Sequence, residues 1–136
     1  MSLESPNYLN LERWAVGPRR VEKPWGWELV WAETEHYVGK LLFVKAGESL
    51  SLQFHRVKEE SWFVQSGRAN VELAEAGEQA LQEEIVAAPA YFRFVPGTVH
   101  RVTAIEDTTI IEVSTPHLDD VVRLEDSYGR EGTSEP

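Results

Sequence analysis

Apolar residues in this chain arrive in short alternating runs separated by turn residues. The segments Glu28 to Trp31, Tyr37 to Lys45, Ser49 to Phe54, Ser61 to Gln65, Ala69 to Leu73, Tyr91 to Val95, Val99 to Ala104 and Thr108 to Ser114 are rich in β-branched and aromatic side chains and have the length of strands. Turn chemistry punctuates them at Ala46-Gly47-Glu48, Ser66-Gly67-Arg68, Pro96-Gly97 and Glu106-Asp107, too closely for helices of ordinary length to fit between. The pattern predicts one all-β domain, a sandwich or a barrel whose closure removes exposed sheet edges. Helix is expected only near Leu9 to Ala15 and in a short segment from His117 to Glu125. The expected organisation is an N-terminal arm over residues 1–19, a barrel over 20–116, and a C-terminal segment with a polar tail over 117–136.

Alternation also assigns faces. Read as one strand, Ser49 to Phe54 turns Ser51, Gln53 and His55 to one side and Leu50, Leu52 and Phe54 to the other. A polar row inside a barrel must satisfy its hydrogen bonds or bind something. The apolar row would then face outward and offer a homodimer contact, to which the N-terminal segment could add a strand. Glu60, Trp62 and Val64 alternate in the next run, which lets Glu60 face the same cavity as Gln53 and His55.

Composition narrows the chemistry. In 136 residues, 42% of them hydrophobic, there is enough apolar material for one core without staples. Cysteine is absent, so a metal would have to be held by nitrogen and oxygen ligands. The formal charge of −10, from 23 acidic and 13 basic residues, would repel a phosphate backbone, and nucleic acid is not expected as a partner. No apolar stretch approaches the roughly 20 residues that span a bilayer, and the N-terminus lacks a leader pattern, so a cytoplasmic protein with no membrane partner is expected.

The spacing of potential ligands carries most of the information. Gly47 is followed after five residues by Gln53, after one more by His55, after four by Glu60 and after six by Gly67; later Gly97 is followed after two residues by His100. At these positions the chain resembles the cupin superfamily, whose barrels are double-stranded β-helices, or jelly rolls. The resemblance implies that His55, Glu60 and His100 are metal ligands, with Gln53 in the place of the first histidine. It departs from the usual second motif at Pro89 and Val95. A carbonyl oxygen in place of an imidazole favours harder divalent ions such as Mn²⁺, Fe²⁺ or Zn²⁺. Without a metal, the same residues would be an internally hydrogen-bonded polar cluster. His36 and His117 lack such partners and are expected at the surface.

Three further stretches sharpen the likeness: Lys23-Pro24-Trp25-Gly26-Trp27-Glu28, Gly47 to Gln53, and Asp119 to Arg130. They resemble the cupin domain of type II mannose-6-phosphate isomerases from about Arg20 to Arg130, and in that family Gln before the first-motif His is usual. One departure touches the substrate. Isomerases of the family tend to have a histidine-rich stretch before the Glu ligand, whereas here His55 is followed by Arg56, Val57, Lys58 and Glu59.

The resemblance implies an aldose–ketose isomerase of carbohydrate metabolism, with one divalent metal and a sugar phosphate or similar anion as substrate. A base must then move a proton between neighbouring carbons, and Glu112 and Lys40 are the candidates. A phosphate needs cations, for which Arg56, Lys58, Arg101, Arg123 and Arg130 are available, although alternation turns Arg101 away from His100. Trp25, Trp27 and Trp62 could stack on a sugar ring or belong to the core. The alternatives are a non-catalytic cupin that binds a sugar or small acid around a structural metal, and a metal-dependent oxygenase.

Overall fold

The structure, a computed structural model, describes residues 17–75, 78 and 80–132, so the helix expected at Leu9 to Ala15 lies outside the described residues. The described residues hold eleven strands and no helix. They are β1 (Arg19–Lys23), β2 (Gly26–Glu33), β3 (Val38–Val44), β4 (Leu52–Phe54), β5 (Glu60–Ser66), β6 (Arg68–Ala74), β7 (Gln82–Ala87), β8 (Ala90–Phe94), β9 (Val99–Ala104), β10 (Thr108–Ser114) and β11 (Val122–Glu125).

Two antiparallel sheets form, one of six strands in the order β1-β2-β3-β10-β5-β8 and one of five in the order β11-β4-β9-β6-β7. From β3 to β6 and again from β8 to β11 the chain crosses from one sheet to the other at each successive strand, which wraps it as a jelly roll. Between the sheets lie Trp25, Leu42, Val44, Leu50, Trp62, Val64, Val71, Phe94, Val102 and Ile110, all buried. Burying a side chain of this size contributes about 1.5–3 kcal/mol.

The eight expected strands are present. Three more were not legible from alternation. Strands β1 and β7 lie at sheet edges and are mostly exposed; β1 is almost wholly charged, and β7 puts its polar residues first and its apolar ones last, so neither alternates. The third corrects an expectation: within His117 to Glu125 there is a turn and then β11, which pairs with β4, instead of a helix. The C-terminal segment is therefore built into the second sheet.

A second correction concerns the face assigned to Leu50, Leu52 and Phe54. The run breaks at Leu50–Ser51, after an isolated bridge from Ser49 to Thr103, and period-two alternation fails there. Leu50 joins the core, Leu52 is only 6% exposed and Phe54 is half-buried, so this row is not a free apolar face. The hairpin between β1 and β2 owes its shape to Gly26, where a Cβ would stand 1.9 Å from the Phe43 carbonyl oxygen. That close approach, with the Lys45 N–H donating to the Trp25 carbonyl at 2.9 Å, folds Lys23 and Trp25 over the cavity.

Candidate metal centre and its cavity

His55 follows β4, Glu60 opens β5 and His100 is the second residue of β9, so two sheets deliver three ligand-type side chains to one point. One ligand atom from each lies within 4.8 Å of the other two. Glu60 Oε1 is 3.4 Å from His55 Nε2 and 3.1 Å from His100 Nε2. All three atoms are buried, and none has a hydrogen-bond partner despite this closeness. The remaining ring nitrogens are occupied: His100 Nδ1 donates to the Thr98 carbonyl at 2.9 Å, and His55 Nδ1 donates to the Asp120 carbonyl. Backbone acceptors at Nδ1 leave the Nε2 lone pairs aimed inward, the usual arrangement of metal-bound histidines. The residues therefore fit a divalent ion held through nitrogen and oxygen.

The rest of the cluster fixes these groups. The His100 ring stacks on Phe94 at 4.3 Å and meets the edge of Trp62 at 5.6 Å. Lys58 Nζ sits 2.8 Å from Glu60 Oε2, which leaves Oε1 for the ion. Burial alone would raise the Glu60 carboxyl, but the adjacent His100 and His55 rings and the charge of Lys58 outweigh it and hold the group well below the ordinary glutamate value. Gln53 lies directly opposite His100 in the β4–β9 register and lines the same cavity, with its Oε1 accepting from Ser51 Oγ at 3.2 Å.

Of the two candidate bases, Glu112 is the more enclosed. Its Oε1 accepts from Trp62 Nε1 at 3.1 Å and its Oε2 lies 3.4 Å from Lys58 Nζ. Burial and the nearby Glu60 charge raise its carboxyl above the ordinary glutamate value, with Lys58 and Lys40 opposing. Lys40 also lines the cavity, 3.3 Å from Glu28.

The five cations expected at a phosphate divide. Arg123 and Arg130 line the cavity. Lys58 lines it too, but as a buried bridge between Glu60 and Glu112, where burial would lower its ammonium and the two carboxylates instead hold it above the ordinary lysine value. Arg56 and Arg101 are elsewhere. Arg56 is exposed with its guanidinium over Phe54, and Arg101 forms a two-point pair with Glu72 at 2.9 Å, turned away from the cavity as alternation implied. Trp25 and Trp62 line the cavity and belong to the core, whereas Trp27 packs on Phe43 at 5.4 Å under Arg20, away from the cavity. His36 and His117 are exposed, as expected.

Two residues at the site carried no spacing signal. Lys23 extends into the cavity, 3.8 Å from Glu28. Asp120 clamps the loop after His55: its carboxylate accepts from the backbone N–H groups of Arg56 at 3.0 Å, Val57 at 2.6 Å and Lys58 at 2.8 Å, while its carbonyl accepts from His55 Nδ1. Burial would raise this carboxyl, but the backbone donors hold it below the ordinary aspartate value.

Comparison with known proteins agrees with this geometry. Residues 13–126 match the family described as mannose-6-phosphate isomerase C-terminal. Over 122 residues the chain is 32% identical to mannose-1-phosphate guanylyltransferase 2 of Escherichia coli O157:H7, a match covering 85% of this chain and 24% of that protein. The chain thus spans about a quarter of the length of the curated relatives it matches. Among solved structures, the capsular polysaccharide assembling protein CapF of Staphylococcus aureus superposes with a TM-score of 0.72 at 17% identity, over 88% of this chain and 35% of that one. Bacillus subtilis oxalate decarboxylase, a protein with Mn(II) centres, superposes with a TM-score of 0.66 at 18% identity, over 78% and 30%. At such identities the likeness is one of fold, the cupin barrel.

Proposed function

The chain belongs to the mannose-6-phosphate isomerase C-terminal family of cupins, and from that premise we propose that it is a metal-dependent sugar-phosphate isomerase that interconverts an aldose phosphate with its ketose. One observation carries the reading: three buried ligand atoms, on His55, Glu60 and His100, share one point and have no other partner. Gln53 is the fourth ligand by position.

A bound Mn²⁺, Fe²⁺ or Zn²⁺ would supply Lewis acidity toward an adjacent carbonyl and hydroxyl pair. The chain's own groups do the rest. Glu112 takes a proton from one carbon and returns it to its neighbour, because burial has raised its proton affinity toward the range useful for a base. Lys58 and Trp62 orient its two oxygens. Lys40, engaged by Glu28, is a positioning residue in this reading.

The test is turnover of mannose 6-phosphate by metal-loaded protein. Conversion that disappears in His55→Ala supports the isomerase; metal uptake without turnover across a panel of sugar phosphates rejects it in favour of a binding module. That second reading draws on relatives named mannose-1-phosphate guanylyltransferases, which are about four times as long as the matched part.

A further inference from the structure

The two sheets turn opposite kinds of surface outward. The outer face of the five-stranded sheet is charged, with Arg101 paired to Glu72 at 2.9 Å and 3.7 Å from Glu125. On the six-stranded sheet the usual sense of a strand is inverted. Glu28, Lys40, Glu60 and Glu112, on β2, β3, β5 and β10, all line the cavity, so the charged positions of these four strands point inward. The one charge they leave outside is Glu33, at the end of β2, and it is paired with Arg19 at 3.0 Å.

Apolar side chains hold the outer positions. Register places Leu29 opposite Leu41, Leu41 opposite Ile111, Ile111 opposite Phe63 and Phe63 opposite Tyr91, one row across β2, β3, β10, β5 and β8. Four strand spacings make it roughly 19 Å long. Phe63 and Tyr91 stack with ring centroids 6.0 Å apart, and beside the row Trp31 lies over Gly39, where a Cβ would stand 2.6 Å from the indole. Trp31, Val113 and Tyr91 are 44%, 49% and 74% exposed. An antiparallel sheet that covers a core with one face ordinarily shows polar side chains to water on the other. Here Trp31, Phe63 and Tyr91 alone leave on the order of 300 Å² of aromatic surface in water, a size at which an apolar patch marks an interaction site.

Charge and size point to a second copy of the chain as the cover. At a formal charge of −10, two copies repel each other through much of their surface and approach best where charge is lacking. The flanks of this face are neutral as well, since Arg20 is paired with Glu22 at 2.7 Å beyond β2 and Arg93 with Glu59 at 2.8 Å on β8. Six strands of about seven residues give a face of roughly 25 by 23 Å, close to the footprint of an interface of about 800 Å² per partner. An identical sheet has the same twist, so it packs aligned on this one. We propose that the outer face of the six-stranded sheet packs against the same face of a second copy, in a two-fold dimer centred on Ile111, the middle of the row. Both cavities lie on the far sides of the joined sheets and stay open. The homodimer thus forms through a different surface from the Leu50, Leu52 and Phe54 row, and needs neither metal nor substrate.

Light scattering of the full chain tests this at about 10 μM, the weak end of what interfaces of this size reach, and a dimer is expected. Val113→Lys and Phe63→Lys each place an unpaired ammonium in the contact, and the dimer dissociation constant should rise at least about 100-fold in either. Ile85→Lys, at a residue 66% exposed on the other sheet, should leave it unchanged within about threefold. A monomer at that concentration leaves the face to some other occupant and overturns the proposal. A dimer that survives both lysines, or that Ile85→Lys disrupts as strongly, overturns it too. Should the lysine variants fail to fold, a milder substitution decides. The chain has no cysteine of its own, and facing sheets stand about 10 Å apart, within reach of a short bismaleimide. Ile111→Cys should give a covalent dimer with that reagent and Ile85→Cys should not; no covalent dimer from Ile111→Cys, or equal yields from both, overturns the proposal.

Discussion

The two walls of the cavity are made by opposite means. On the metal wall, His55 and Glu60 come from one short stretch of chain and His100 from the strand beside it, with both rings held by a backbone acceptor and Glu60 by Lys58. On the cationic wall, Lys23 and Arg130 are more than a hundred residues apart in sequence and meet only because both ends of the described chain fold over the barrel. The first wall is therefore written in local spacing. The second is a product of topology, and Lys23 and Arg130, outside its strands' ladders to the metal wall, are held there by ion pairs.

The contrast is broken most sharply at a ligand. Glu60→Gln leaves Lys58 without its closest anion and removes the charged ligand, and metal affinity should fall more than about 100-fold, beyond the roughly 10–100-fold typical of outer partners. Elemental analysis after dialysis reads this directly; retained stoichiometric metal would place the ion elsewhere. Asp120→Ala tests whether the metal wall depends on the loop clamp. The backbone carbonyl that accepts from His55 Nδ1 remains, so a loss of about 10–100-fold in metal affinity would belong to the carboxylate alone.

On the cationic wall, Lys23→Met should change the pH dependence of stability. The native ammonium has a folded value of about 8, below that of an unfolded lysine, so its burial is unfavourable at pH below 8 and the penalty fades as pH rises from about 8 toward the ordinary lysine range. Urea midpoints should show the methionine variant gaining most over the native chain below pH 8, with the advantage shrinking above it. An advantage that grows with pH would contradict this. The smallest effect is expected for Tyr128→Phe, which removes a hydroxyl donating to Glu48 and accepting from the Ser49 N–H. A loss of about 1 kcal/mol in thermal or urea unfolding is expected, with metal content unchanged.

Much of the barrel was legible because core strands alternate strictly. Glu60, Trp62 and Val64 point inward while Phe63 is 39% exposed, as the pattern of β5 required. Strand β1 escaped because four of its five residues are charged, and β7 because its apolar residues come as one run, Ile85-Val86-Ala87, without alternation. Leu50 was assigned to the wrong face because a break in the backbone is invisible to a count of twos. Asp120 was not legible at all, since its ligands are backbone N–H groups that any residue could offer. Lys58 and Arg101 show the same limit from another side: charge type is readable, but only the fold tells a buried bridge from a pair on the barrel's outer surface.

The row from Arg123 through Gln53 to His100 gives the loop before β11 a weight its sequence does not advertise. Sliding β11 by one residue past β4 would carry Leu124 inward and swing Arg123 to solvent, turning a cationic part of the cavity into a greasy wall while His55, Glu60 and His100 stayed where they were. Deleting or inserting a single residue between Thr115 and Val121 is thus a change of chemistry, and Asp120, which ties that loop to the one after His55, is the knot that keeps the thread at length.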